Sequence, residues 1–75
     1  MIELTDFIHD GKTITLKTPL PLDIVKIDGY YYASNEEIEL CADGKTEEDA
    51  INNARDIFSN LYILSKKVIE YVGGD

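Results

Sequence analysis

Gly44-Lys45-Thr46-Glu47-Glu48-Asp49-Ala50 decides the fold, because here turn chemistry passes directly into a long helical pattern. Thr46 is an N-cap candidate, and Asp49 three residues later is a short-armed capping-box partner. Glu47, Glu48 and Asp49 crowd the first turn, while Lys66 and Lys67 lie towards the far end, the polarity the helix dipole favours. Ala50, Ala54, Ile57, Leu61, Leu64, Val68 and Tyr71 recur at alternating four- and three-residue steps and keep one face apolar. Gly73-Gly74 stops the pattern. The expectation is a single helix over about residues 46–72.

Upstream the pattern is that of strands. Ile2 to Ile8 reads as extended, Asp10-Gly11 as a tight hairpin turn, and Lys12 to Thr18 alternates, with Ile14 and Leu16 opposite Thr13, Thr15 and Lys17. Pro19-Leu20-Pro21 interrupts this alternation, since proline cannot donate to a ladder. Leu22 to Ile27 resumes an extended pattern that is apolar on both faces, and Asp28-Gly29 repeats the turn signal. Tyr30-Tyr31-Tyr32-Ala33 follows, then a turn at Ser34-Asn35-Glu36. Ile38, Leu40 and Ala42 then alternate with Glu37, Glu39 and Cys41. Strands over about 2–42 followed by one helix predict a single α+β domain spanning 1–75. Its antiparallel sheet of three to four strands, a hairpin plus a meander, is covered on one face by the helix.

A helix from Glu47 to Val72 would run about 39 Å at 1.5 Å per residue, whereas six-residue strands span about 20 Å. Its end should therefore overhang the sheet. Ile51, Phe58, Tyr62 and Ile69 add a second apolar line beside the first. An overhang of this kind predicts a partner or oligomer interface built on Phe58, Tyr62, Ile69, Tyr71 and Val72. A helix that breaks near Ser65 and folds back is the competing reading.

The chain has 75 residues, with Asp+Glu 15 against Lys+Arg 7 and a formal net charge of -8. That balance argues against direct nucleic-acid binding, which needs clustered Lys and Arg. It suits steering towards a basic protein. So short a chain buries a modest share of its surface, which favours assembly as a dimer or higher oligomer. With one cysteine, no signal-peptide pattern and no apolar run of membrane-spanning length, the expectation is a cytoplasmic protein without a membrane segment.

Little in the composition is catalytic. His9, the sole histidine, sits beside a turn with no nucleophile at motif spacing and reads as an exposed turn residue. Cys41 reads as a small buried or half-buried side chain in a strand. Glu36, Glu37, Glu39 and Asp43 are dense enough to consider a hard cation, with Glu37 and Glu39 sharing a strand face, but no calcium-loop spacing is present. The three consecutive tyrosines place two rings on one sheet face and one on the other, and serve core and interface better than base stacking in so acidic a chain. The expectation is a non-enzymatic protein with no cofactor and no metal.

Residues Tyr30 to Tyr62, most sharply Gly44-Lys45-Thr46-Glu47-Glu48-Asp49-Ala50-Ile51-Asn52-Asn53-Ala54, resemble the HicB-like antitoxin family. Gly44, Thr46, Asp49, Ala50 and Ala54 match that family's strand-to-helix junction, and the preceding short strands fit its βββα order. The proline-rich segment usual between the family's strands is replaced here by Ser34-Asn35-Glu36-Glu37. No ribbon-helix-helix or helix-turn-helix domain follows the helix, so the likeness is to the N-terminal domain alone. The resemblance implies an acidic module that sequesters a small basic RNase toxin. The contact would use an acidic face of Glu36, Glu37, Glu39, Asp43, Glu47 and Glu48, with self-association through the helix. The alternative is a self-assembling structural or accessory subunit with no toxin.

Overall fold

The computed structural model describes residues 2–73. Four antiparallel strands, β1 (Ile2–His9), β2 (Lys12–Ile27), β3 (Tyr30–Asn35) and β4 (Leu40–Gly44), form one sheet in the order β1-β2-β3-β4. Two helices follow, α1 (Glu47–Leu64) and α2 (Lys66–Val72). The α+β arrangement expected from the sequence is present, with the helices on one face of the sheet.

Both hairpins close as the Asp-Gly pairs require. Asp10 and Gly11 have φ of 51° and 73°, and Asp28 and Gly29 have 51° and 82°, so both central residues of each turn are left-handed. This is the mirror-image type I turn that matches strand twist. The closing pairs are His9 with Lys12 and Ile27 with Tyr30.

The prolines do not end a strand. Lys12–Thr18 and Leu22–Ile27, expected as separate strands, are two halves of the 16-residue β2. Its first half pairs with β1 and its second half with β3. Register slips between them: Leu4 faces Leu20 and Asp6 faces Thr15, so two steps on β1 oppose five on β2. Pro19 falls in the segment thus bulged out, and Pro21 pairs with Glu3. The Pro21 carbonyl accepts from the Asn35 side-chain amide at 2.8 Å, and the Asn35 side-chain oxygen accepts from the Ile38 N–H at 3.2 Å. Buried Asn35 thereby extends the ladder past the end of β3 and satisfies both its own polar atoms.

The last strand is also displaced from its expected place. Residues 36–39 form a turn, with Glu39 at φ 55°, and β4 begins at Leu40. Glu37 and Glu39 therefore do not share a strand face, while Ile38 tucks its side chain into the core from the turn.

Thr46 caps α1, its hydroxyl accepting from the Asp49 N–H at 3.0 Å. Thr46→Ala should lower stability by about 1 kcal/mol, read as a shifted midpoint with unchanged slope in urea unfolding. Ala50, Ala54 and Phe58, spaced i, i+4 and i+8, form the fully buried line of α1. They pack against Leu4, Phe7, Ala33, Leu40 and Ala42 in one core.

The helical run is not continuous. Ser65 is extended (φ -126°, ψ 126°), and its N–H caps the Leu61 carbonyl at 2.8 Å. The break turns α2 onto β2, where Val68 is fully buried and Tyr71 and Val72 are half-buried. The predicted overhang is thus replaced by a fold-back, because burying Val68 against the sheet gains apolar contact that a straight helix would leave in water. Lys66 and Lys67 open α2 instead of closing α1. Gly73 terminates α2 at φ 80°, while Gly74 lies outside the described residues.

Helix α1 also seals sheet edges. The Ser59 hydroxyl donates to the Ile8 carbonyl, the Arg55 guanidinium to the Asp6 carbonyl and carboxylate at 3.2 and 3.1 Å, and the Asn53 amide to the Asp43 carbonyl at 2.7 Å. Side chains from the helix occupy backbone acceptors on β1 and β4, the two outer strands, where unpaired groups invite foreign strands.

Candidate protein-binding surface

Alternation along the strands assigns each residue to a face. Leu22, Ile24, Tyr31, Ala33, Leu40 and Ala42 point to the helices, and their partners in register confirm the set. Asp23, Val25, Ile27, Tyr30, Tyr32, Ser34, Cys41 and Asp43 therefore occupy the opposite face. Three cross-strand rows result on that face: Asp23 with Ser34 and Cys41, Val25 with Tyr32 and Asp43, and Ile27 with Tyr30. Val25 is 50% exposed, Ile27 53% and Tyr30 43%. An apolar patch thus lies on the uncovered face, with Asp23, Asp43 and the turn residue Asp28 around it.

This is not where the helix-based expectation put the interface. Phe58 is fully buried, its ring 5.1 Å from Phe7 at an interplanar angle of 62°. It is a core residue and offers no contact surface. Tyr62 is half-buried, with ring centroids 5.1 Å from both Phe7 and His9. Ile69, Tyr71 and Val72 are half-buried on α2. The apolar residues that α1 leaves in solvent are Ile63 (70%) and Leu64 (81%), beside the break.

The acidic residues divide into two groups. Glu36, Glu37 and Glu39 lie in the turn before β4, and Asp43, Glu47 and Glu48 at its other end, where it enters α1. All six are exposed, but β4 separates the groups by roughly 13 Å at 3.3 Å per residue. Among the described residues no group of three His, Cys, Asp or Glu is arranged to hold a metal.

The first acidic group is tied to α2. The Lys67 ammonium approaches the Glu37 carbonyl at 3.4 Å, and Tyr71 lies beside Glu37. An open cleft of about 260 Å³ lies here, lined by Thr18, Glu37, Glu70 and Tyr71. Desolvation first, then the neighbouring Glu37 carboxylate and the charge of Glu70, raise the Tyr71 pKa above its usual 10.0. Because the folded value lies above the unfolded one, this contact stabilises fully below the unfolded pKa and is lost as pH rises through the folded one. In a spectrophotometric titration with a Tyr71→Phe control, Tyr71 should ionise above the ordinary tyrosine range.

His9 and Cys41 also differ from expectation. His9 is half-buried against Tyr62, with its imidazole 3.5 Å from the Asp10 carboxylate. Cys41 is an exposed free thiol on the uncovered sheet face. The tyrosine triplet divides as two against one: Tyr30 and Tyr32 outward, Tyr31 inward with the Lys26 ammonium 5.4 Å from its ring centroid.

The residues of the strand-to-helix junction have mechanical roles. A Cβ on Gly44 would stand 2.5 Å from the Ala50 nitrogen and 2.8 Å from the Asp49 carbonyl carbon, so only glycine lets β4 meet α1 this closely. Thr46 caps, Asp49 supplies the capped N–H, and Ala50 and Ala54 are fully buried. No family model, curated protein or solved structure matches the chain. Among the described residues no helix is long and apolar enough to cross a membrane.

Proposed function

We propose that this chain is a non-enzymatic, cytoplasmic protein-binding module of the HicB-like antitoxin type, which sequesters a small basic RNase toxin. The observation that carries the reading is the apolar patch of Val25, Ile27 and Tyr30 on the uncovered sheet face, with Asp23, Asp28 and Asp43 at its margin. Apolar anchors of this kind supply most of an interface's affinity, and surrounding acids set on-rate and orientation towards a cationic partner. The net charge of -8 acts in the same sense at longer range. The resemblance of Gly44–Ala54 to the HicB-like junction supplies the partner class.

The test is affinity purification of the tagged chain from its native host at low salt, with co-eluting proteins identified by mass. The expected result is one small basic protein at fixed stoichiometry, released as ionic strength rises and charges are screened. Absence of a basic protein, or a complex indifferent to salt, would overturn the reading.

A further inference from the structure

The single-residue break at Ser65 leaves the facing ends of both helices poorly satisfied. Among the described residues no side chain caps α2, and no backbone bond joins the N–H groups of Lys66, Lys67 and Val68 to the carbonyls of Tyr62, Ile63 and Leu64. The bond that restarts the ladder, from the Ile69 N–H to the Ser65 carbonyl, is long at 3.4 Å. Lys66 and Lys67 stand at the positive end of the α2 dipole with no acid in its first turn, and α1 has no base in its last. In one unbroken helix the same lysines would lie towards the C-terminal end, where the dipole favours them. Neither proline nor glycine imposes the break. Ile63 and Leu64, 70% and 81% exposed, are the most exposed large apolar side chains among the described residues, and both lie immediately before it. What holds α2 in place is its contact with β2, centred on the fully buried Val68.

We propose that two copies of the chain exchange α2: Ser65 becomes helical, α1 and α2 join into one helix over residues 47–72, and Val68 of each copy is buried on β2 of the other. The occupant is a second copy because the seat on β2 already fits this segment. Every α2 contact with β2 is kept, changed only from within one chain to between two. Each chain regains the three ladder bonds from Lys66, Lys67 and Val68 to Tyr62, Ile63 and Leu64. A short hinge with unsatisfied groups on both sides is the kind that favours exchange. The eight residues beyond Leu64 project about 12 Å past the end of α1, which brings the two hinges beside the two-fold axis. Ile63 and Leu64 of one copy there meet those of the other and leave water. Ile57, Leu61, Leu64, Val68 and Tyr71 then form one apolar stripe across the hinge, whose exposed member in the single copy is Leu64. The exchange uses the helix-covered side of the sheet. It leaves Val25, Ile27 and Tyr30 open to a basic partner and does not rest on that reading.

The experiment is sedimentation equilibrium of the purified chain over a range of concentrations, at high salt so that the charge of -8 on each copy is screened. Amide hydrogen exchange and isotope-filtered NOEs, the latter on an equal mixture of labelled and unlabelled chain, accompany it. Expected is a species of twice 8.5 kDa. The Lys66, Lys67 and Val68 amides should become protected only as it forms, and NOEs between Val68 and β2 should then connect labelled with unlabelled copies. Ser65→Ala, which favours a helical hinge, should bind itself at least about tenfold more tightly than Ser65→Gly, which disfavours one. Leu64→Lys, at a position exposed in the single copy, should weaken association at least about tenfold without lowering the melting temperature of the monomer. Should a hinge variant fail to fold, Leu64→Lys and the exchange pattern of the unaltered chain still decide. A chain that stays at 8.5 kDa up to about 1 mM overturns the proposal. So does a dimer whose Lys66–Val68 amides exchange as fast as in the monomer, whose Val68 NOEs stay within one copy, or which Leu64→Lys leaves intact.

Discussion

Phe58→Ala should destabilise the chain by about 4 kcal/mol and lower its melting temperature by roughly 15–30 °C. The ring is fully buried between sheet and helix and meets Phe7 edge to face at 5.1 Å. Truncation removes the transfer energy of the ring and leaves a cavity lined by Phe7 and its neighbours, which have little room to collapse. A domain of this length is stable by only about 4–11 kcal/mol, so the variant should be partly unfolded at physiological temperature. Urea melts of the two proteins, with exchange-protected amides counted in each, measure this directly. Tyr62→Ala, at a half-buried position, should cost visibly less. A Phe58→Ala protein that melts like the wild type would mean that α1 docks on the sheet through another line.

Gly44→Ala should cost about 3 kcal/mol, at the upper end for an added methyl in a packed site. The new carbon would lie 2.5–2.8 Å from main-chain and Cβ atoms of Asp49 and Ala50. Relief requires the first turn of α1 to retreat from β4, which also loosens Ala50, buried completely there. Gly29→Ala makes the control. A Cβ at Gly29 meets nothing within 4 Å, and its cost is confined to the left-handed backbone at φ 82°, about 1–2 kcal/mol. The expected order of melting temperatures is wild type, then Gly29→Ala, then Gly44→Ala. The reverse order would show that the junction accommodates a side chain.

The features legible in the sequence are those governed by local chemistry. Asp10-Gly11 and Asp28-Gly29 announce left-handed turns, Thr46 announces a cap, and Gly73 announces a helix end, because each depends on a few neighbouring backbone groups. What depends on distant partners was not legible. Steps of four and three residues drawn from Ala50 put Ile57 and Leu64 on the sheet, yet the fully buried line runs Ala50, Ala54, Phe58 and Leu64 is 81% exposed. Both lines are apolar, and the choice falls to Phe7 on β1, whose ring Phe58 meets. The break at Ser65, which the sequence offered only as the competing reading, has no proline or glycine behind it; it follows from β2 lying where Val68 can be buried against it.

The two prolines misled for a related reason. Proline is excluded from a strand only where its missing N–H is needed. Here Pro19 falls in a bulge and Pro21 at the handover of β2 from β1 to β3. The candidate surface was half visible: Val25, Ile27 and the outward tyrosines follow from alternation alone, and a strand apolar on both faces already suggests a second interface. The helices' choice of side fixes which face remains open, and that choice is a tertiary fact.

The uncovered sheet face carries a built-in reporter, the exposed Cys41 thiol in the row formed with Ser34 and Asp23. The measurement that tests its role as the binding surface most directly is the alkylation rate of Cys41, free and within the complex recovered from the host. Binding on this face predicts a rate at least about tenfold slower in the complex, restored when salt releases the partner. An unchanged rate in an intact complex would place the partner elsewhere and contradict the account.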